Sequence, residues 1–178
     1  MLHFFRNSCT LREGFVFYGA YHDDWRNKLL HITFVPIIFT TALSFLARVK
    51  VTEFVDMSLI VAGLYAVSFI KTEPGAGIPY AAFIFMMQCV ASHFLLSRVA
   101  LSFALHVSGW IAQFIAHGLF ERRAPALLDD PLQAIHSSVF FVWLEIIFYF
   151  GYKPKLKREL DMLVKQKIAQ LDKTRSIQ

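Results

Sequence analysis

At 178 residues the chain has the length of one domain, and 56% of it is hydrophobic while only 17% is charged, against roughly 45–50% and ~25% in soluble proteins. With a mean hydropathy of +0.49, disordered, coiled-coil, disulfide-stapled and nucleic-acid-binding readings all fall away, and an all-α, multi-pass transmembrane helical bundle remains. The formal net charge of +5 equals that of residues 153–178 alone, where eight Lys or Arg stand against three acids, so the basic character belongs to a tail and not to a surface that could track nucleic acid.

Residues 1–28 carry Arg6, Arg12, Glu13, Asp23, Asp24, Arg26 and Lys28 and hold no apolar core of signal-peptide length, so the first hydrophobic segment is expected to direct targeting itself. Asp23 and Asp24 read as a cap for a helix that runs on into that segment. Five stretches lack any charged residue: Leu29–Ala47 (19 residues), Met57–Ile70 (14), Pro74–Ser97 (24), Val99–Phe120 (22) and Pro131–Leu144 (14). A membrane-crossing helix needs about 20 mostly apolar residues. Three runs reach or approach that length, and the fifth continues past Glu145 to Tyr152, so four to five spans are expected. Lys71–Pro79, with two prolines and two glycines, is the strongest loop signal, and Arg122–Pro131 is the second. Cys9 and Cys89 make no disulfide framework, and Cys89 is expected to pack inside its apolar run. Lys and Arg lie near nearly every turn, so they leave the orientation open. The tail is placed on the cytosolic side.

Within the tail Leu156, Leu160, Leu163, Val164, Ile168 and Leu171 recur at three- and four-residue steps. That pattern suits an amphipathic helix on anionic headgroups, and equally a solvated helix. The organisation is thus a membrane-embedded bundle over residues 1–152 and a basic amphipathic tail over 153–178.

Polar side chains in these runs need a reason. His31, Gln88, His93, His106, Gln113, His117, His136 and Glu145 lie inside or beside them. Ionisable groups in a membrane cost several kcal/mol and mark a functional interior, although any single histidine can be a hydrogen-bonded core imidazole. His106 and His117, eleven apart, share a helix face but stand ~16 Å apart along the axis and cannot share an ion. His22 and His31, nine apart, lie on opposite faces of an unbroken helix, and converge only if His22 precedes it. Asp24, Asn27 and His31 share a face. His117 and Glu121 form an i, i+4 pair able to reach one ion, or else a helix-end hydrogen bond. No Cys-x-x-Cys, HExxH, phosphate loop, dinucleotide fingerprint, nucleophile elbow or paired-histidine di-iron pattern is present. Imidazole with an occasional carboxylate suits Fe, Zn or Cu, and the lack of thiolates argues against structural zinc. The residues by themselves describe a metal-binding membrane protein. The rivals are a non-enzymatic transporter or scaffold with proton-relay histidines, and a protein with haem-binding histidines.

Two segments carry a resemblance. Tyr21–Pro36 reads YHDDWRNKLLHITFVP, and Gly109–Leu127 reads GWIAQFIAHGLFERRAPAL. With the stretch from Gly14 to the basic tail around them, they resemble the small endoplasmic-reticulum membrane family of 2-hydroxy fatty acid dioxygenases. Ala116 stands where that family usually has Gly, and Ala124 where a basic residue is common; neither removes a candidate ligand. The resemblance implies an enzyme, a non-haem Fe(II)-dependent dioxygenase of the endoplasmic reticulum membrane. Its reaction is α-oxidation: a 2-hydroxy long-chain fatty acid and O2 give the acid one carbon shorter, in the breakdown of phytosphingosine. His22, His31 and His117 match the motif histidines and are the implied metal ligands, with His93 a fourth candidate and Glu121 a catalytic neighbour. His3, His106 and His136 lie outside the motifs and are read as structural.

Six-coordinate iron held by three histidines keeps positions for a chelating 2-hydroxy acid and for O2. A fourth histidine would leave too few, which favours three ligands or a fourth that carries protons. Asp24, Asn27 and Gln113, with Glu121, are candidates to orient the ligands. Arg122 and Arg123 could hold the substrate carboxylate, or merely meet headgroups. The Phe-rich spans would house the acyl chain.

Overall fold

The computed structural model describes residues 10–121, 126–128 and 130–175. Its helices are α1 (Leu11–Ala20), α2 (Trp25–Leu46), α3 (Met57–Thr72), α4 (Pro74–Cys89), α5 (Val99–Ala116), α6 (Pro131–Tyr149) and α7 (Pro154–Arg175). Two of them run on into π-helical turns, α4 into Val90–Phe94 and α5 into His117–Glu121, and a 3-10 turn covers Ala126–Leu128. No strand occurs among the described residues, only an isolated bridge between Lys50 and Asp56.

Four helical stretches are long and apolar enough to cross a membrane: Trp25–Leu46, Pro74–Phe94, Val99–Glu121 and Pro131–Tyr149, with Met57–Thr72 shorter. Each overlaps a charge-free run of the sequence for most of its length, and the protein is a multi-pass membrane protein of helical type. Within such helices every backbone group is satisfied internally, and side-chain hydroxyls help. Thr33 donates to the Leu29 carbonyl and Thr40 to that of Pro36, at 3.0 and 2.7 Å.

The chain forms two compact units, Leu29–Ala116, and Met1–Lys28 with His117–Gln178. In the first, Phe39, Tyr65, Phe69 and Tyr80 make a chain of ring contacts from α2 through α3 to α4. Gly109 of α5 sits so close to Ile38 of α2 that a Cβ would meet it at 2.7 Å. Arg48, just beyond α2, donates to the carbonyls of Ser44, Leu95 and Leu96.

The Lys71–Pro79 segment departs from expectation. It is a helix start, not a loop. Only Glu73 separates α3 from α4, and its carboxylate caps α4 by accepting from the Ala76 N–H at 2.7 Å. Pro74 takes the first helical position, where no donor is needed, and Gly77 allows backbone contact, since a Cβ there would lie 2.4 Å from the Phe69 carbonyl oxygen. Cys89, expected to pack, is an exposed free thiol; on a membrane helix a weakly polar thiol meets lipid as readily as protein. Asp56 caps α3 through the Leu59 N–H and also accepts from Ser58, which in turn accepts from the Gln88 amide at 3.1 Å.

In the second unit α1 packs on both α6 and α7. Phe15 meets Phe141 and Phe148 edge-on at 5.5 and 5.7 Å. The apolar stripe of the tail is covered by protein: Leu160 and Val164 are buried, Val164 lies against Gly19, and Arg12 pairs with Glu159 at 2.7 Å. Lys155, Arg158, Lys165 and Lys167 remain exposed. Tyr149 and Phe150, at the end of α6, are also exposed, as aromatic anchors at a membrane surface are. Asp130 caps α6 ahead of Pro131.

Candidate metal centre

Helix α1 begins at a capping box, in which Thr10 accepts from the Glu13 N–H and the Glu13 carboxylate accepts from the Thr10 N–H. It ends against Tyr21, so His22 precedes α2, as convergence with His31 requires. His22 Nδ1 lies 2.7 Å from the Tyr18 carbonyl oxygen. A carbonyl only accepts, so Nδ1 carries the proton and Nε2 carries the lone pair that a metal would use. The Tyr18 ring lies flat on the imidazole, with centroids 4.1 Å apart and 13° between planes.

Asp24 caps α2 by accepting from the Arg26 N–H at 2.8 Å. The same carboxylate is gripped by the Arg26 guanidinium, whose hydrogen bonds hold the Asp24 carboxyl down to about 2. Asn27, wholly buried, follows within the first turn, and His31 stands one turn further along the same helix.

His117 opens the π-helical turn His117–Glu121. Glu121, the i, i+4 neighbour of His117, is engaged by the start of α2. Glu121 Oε1 accepts from the Asn27 amide at 2.9 Å and from the Asp24 N–H at 3.0 Å, tying the turn to the entry of α2. Arg26 lies over the Phe120 ring at 4.4 Å, and Lys28 pairs with Glu145 at 2.9 Å.

His22, His31 and His117 are all buried, and each offers a nitrogen within 4.8 Å of the others. The His22 and His117 rings meet edge-on at 4.8 Å between centroids. At metal–nitrogen bonds of about 2.1 Å, adjacent ligand nitrogens stand ~3 Å apart and opposed ones ~4 Å apart, so small side-chain shifts suffice to close on one ion. The donor set is three neutral nitrogens with no thiolate, and its residues fit a borderline metal such as iron. The buried three-histidine cluster could bind a metal.

The other sequence-derived candidates fall differently. His93 is exposed in the Val90–Phe94 turn and is not part of the cluster. Gln113 is buried on α5 one turn before His117, and its amide nitrogen has no hydrogen-bond partner. Arg122 and Arg123 lie outside the described residues. His106 is held by Thr41 and Trp110. Tyr18 was missed, although its i−4 spacing from His22 was visible. So was the Lys28–Glu145 pair, whose partners lie far apart in sequence. Burial raises the Tyr18 phenol well above its ordinary range, aided by the charges of Glu145 and Glu121.

Residues 8–150 match the family described as Mpo1-like, 2-hydroxy-palmitic acid dioxygenase Mpo1-like. The chain is also similar to 2-hydroxy-palmitic acid dioxygenase MPO1 of Saccharomyces cerevisiae, 31% identical over 164 residues that cover 88% of this chain and 92% of the yeast protein. No solved structure matches.

Proposed function

Since the chain belongs to the Mpo1-like family, we propose that it is a 2-hydroxy fatty acid dioxygenase, acting on a 2-hydroxy long-chain fatty acid and O2 within the lipid bilayer. The observation that carries the reading is the convergence of His22, His31 and His117 at one buried point. We assign the metal as Fe(II), the location as the endoplasmic reticulum membrane and the context as phytosphingosine breakdown.

The stoichiometry closes without an outside reductant. A 2-hydroxy acid and one O2 become the acid one carbon shorter, carbon dioxide and water. The C1–C2 bond breaks, and the electrons lost by those two carbons are the ones O2 accepts. His22, His31 and His117 would hold the Fe(II), which would supply the one-electron chemistry that O2 needs to react with an organic acid.

The chain's own groups do the rest. The Tyr18 carbonyl sets the His22 tautomer. Glu121, by accepting from Asn27 and the Asp24 backbone, holds the His117 turn against the start of α2 and acts as a positioning residue. Gln113, four residues before His117 in sequence, carries a buried amide. Arg122 and Arg123, which follow that turn in sequence, are assigned to the incoming carboxylate, and the burial of His22, His31 and His117 keeps water from the reacting end.

A haem reading fits less well, because a macrocycle cannot lie between two imidazoles whose centroids are 4.8 Å apart. The test is metal content by mass spectrometry on detergent-purified protein, wild type beside His117→Ala, with O2 uptake on 2-hydroxypalmitate. About one iron per chain, lost in the variant, with uptake only for the 2-hydroxy acid, is the expected result. No metal and no uptake after anaerobic Fe(II) loading overturns the reading and leaves a proton-relay membrane protein.

A further inference from the structure

Tyr18 has a hydroxyl that the centre as described does not use. The residue is 2% exposed, and its phenol oxygen is buried without a hydrogen-bond partner. A buried, unsatisfied hydroxyl is destabilising, so its retention needs a reason. The surroundings accept an apolar ring as they stand, since Tyr18 packs against Phe15 and Phe141 at 6.2 and 5.7 Å. Orientation of His22 falls to the Tyr18 backbone carbonyl and the ring face, and a phenylalanine would keep both.

The hydroxyl is also well placed. A phenol oxygen stands about two ring radii from the ring centre, one beyond the ring edge, so flat stacking at 4.1 Å keeps it beside the His22 imidazole. The two carboxylates whose charges bear on it are already engaged: Glu145 by Lys28, Glu121 by Asn27 and the Asp24 N–H. A donor buried beside a ligand histidine, with no protein acceptor, is matched by an acceptor that arrives with the substrate.

We propose that Tyr18 Oη donates a hydrogen bond to the carboxylate of the bound 2-hydroxy acid. This rests on the dioxygenase reading above. A 2-hydroxy acid that chelates through one carboxylate oxygen and its hydroxyl leaves the second carboxylate oxygen in a dry site, where a neutral donor satisfies it. Tyr18 thus helps the centre to discriminate hydroxy acids from chelators that lack a carboxylate.

The experiment uses full-length protein in detergent, loaded with Fe(II) and kept free of O2 so that binding is read without turnover. Wild type and Tyr18→Phe are titrated with 2-hydroxypalmitate and with hexadecane-1,2-diol, which can chelate but has no carboxylate. A hydrogen bond to a charged group corresponds to a loss of about ten- to hundredfold. The expected result is a Kd for 2-hydroxypalmitate raised by that factor in Tyr18→Phe, with equal Kd values for the diol. Iron content should be unchanged, and the ligand-free thermal midpoint should be no lower than wild type. Equal 2-hydroxypalmitate affinity in the two proteins overturns the proposal, as does equal weakening toward the diol. Loss of iron in Tyr18→Phe overturns it as well, because the hydroxyl then serves the histidines. If Tyr18→Phe does not fold, 4-methoxyphenylalanine at position 18 blocks the donor and reads the same ratio. Failure of wild type to bind 2-hydroxypalmitate at all defeats the dioxygenase reading itself, a result distinct from equal binding by both proteins.

Discussion

His106 and His22 are two histidines of one apolar chain with opposite fates. Trp110 Nε1–H donates to His106 Nε2 at 3.1 Å, which makes His106 Nδ1 the protonated nitrogen, and this donates to Thr41 Oγ1 at 2.9 Å. The Thr41 hydroxyl passes its own proton to the carbonyls of Ile37 and Ile38. Both His106 nitrogens are therefore committed to protein groups. His22 gives Nδ1–H to the Tyr18 carbonyl and belongs to a buried group of three histidines that could hold a metal. Burial does not separate a packing histidine from a ligand. On the proposed function, the destination of the second nitrogen does.

The sharpest way to break the comparison is to delete each ring. His22→Ala, His31→Ala and His117→Ala should each reduce turnover to background and remove the metal, because two imidazoles hold a borderline ion far more weakly than three. His106→Ala should keep both metal and turnover. Mass-spectrometric iron content and O2 uptake, measured on the same preparations, decide the matter. A His117→Ala protein with full iron, or a His106→Ala protein without it, would reverse the two roles.

Next in size comes the layer behind the ligands. Glu121→Ala removes the acceptor shared by Asn27 and the Asp24 N–H, and loss of such an orienting group typically costs 10–100-fold in metal affinity or activity. Glu121→Gln keeps an oxygen that can accept and should recover most of that loss. If the two variants are equally impaired, the charge of Glu121 matters and a catalytic rather than a positioning role follows.

Much of this was legible beforehand, for physical reasons. Charge-free runs mark helices because lipid tolerates no unpaired charge, and the described helices begin and end within a few residues of those runs. The Asp24 cap was readable because a short carboxylate before an apolar run satisfies orphan N–H groups, and it already allowed His22 to precede the helix that carries His31. Other features were not readable. Leucines at three- and four-residue steps report an apolar face but not its partner, so the docking of Leu160 and Val164 against α1 was invisible. The prolines and glycines of Lys71–Pro79 read as a loop, because Pro at a helix start and Gly at a close helix contact have the same composition as a turn. The role of Glu121 was hidden because its partners, the Asp24 N–H and the Asn27 amide, lie 97 and 94 residues away in sequence.

A third substitution sharpens the contrast from the side of His106. His106→Phe leaves the Trp110 N–H and the Thr41 hydroxyl each short of one partner, at a cost of about 1–3 kcal/mol for a buried group. Thermal or denaturant unfolding in detergent should register that loss, while kcat and iron content stay at the wild-type level. Loss of activity without loss of stability would mean that the Thr41–His106–Trp110 chain does more than hold helices together.

The smallest effect concerns the entry to α2, where Asp24 stands between the two histidines His22 and His31. Its carboxyl is held down to about 2, against an ordinary value of 3.8, first by side-chain hydrogen bonds from Arg26 and then by the Arg26 N–H. A carboxyl lowered on folding contributes stability that is fully present above its unfolded value and is lost as pH falls through its folded value. That contribution is therefore intact above about pH 4 and fades toward pH 2. Asp24 is only part-buried and its partner Arg26 is exposed, so solvent screens the pair and the effect is small. Asp24→Asn keeps a capping oxygen but not the charge, so its deficit relative to wild type should be visible near neutral pH and should shrink as the pH is lowered through that window. The comparison belongs on metal-free protein, where protonation of the ligand imidazoles cannot release an ion and obscure the slope. A deficit that stays constant from pH 5 to pH 2 would show that the Arg26 pairing adds nothing to the cap, and that the position of His31 depends on the backbone alone.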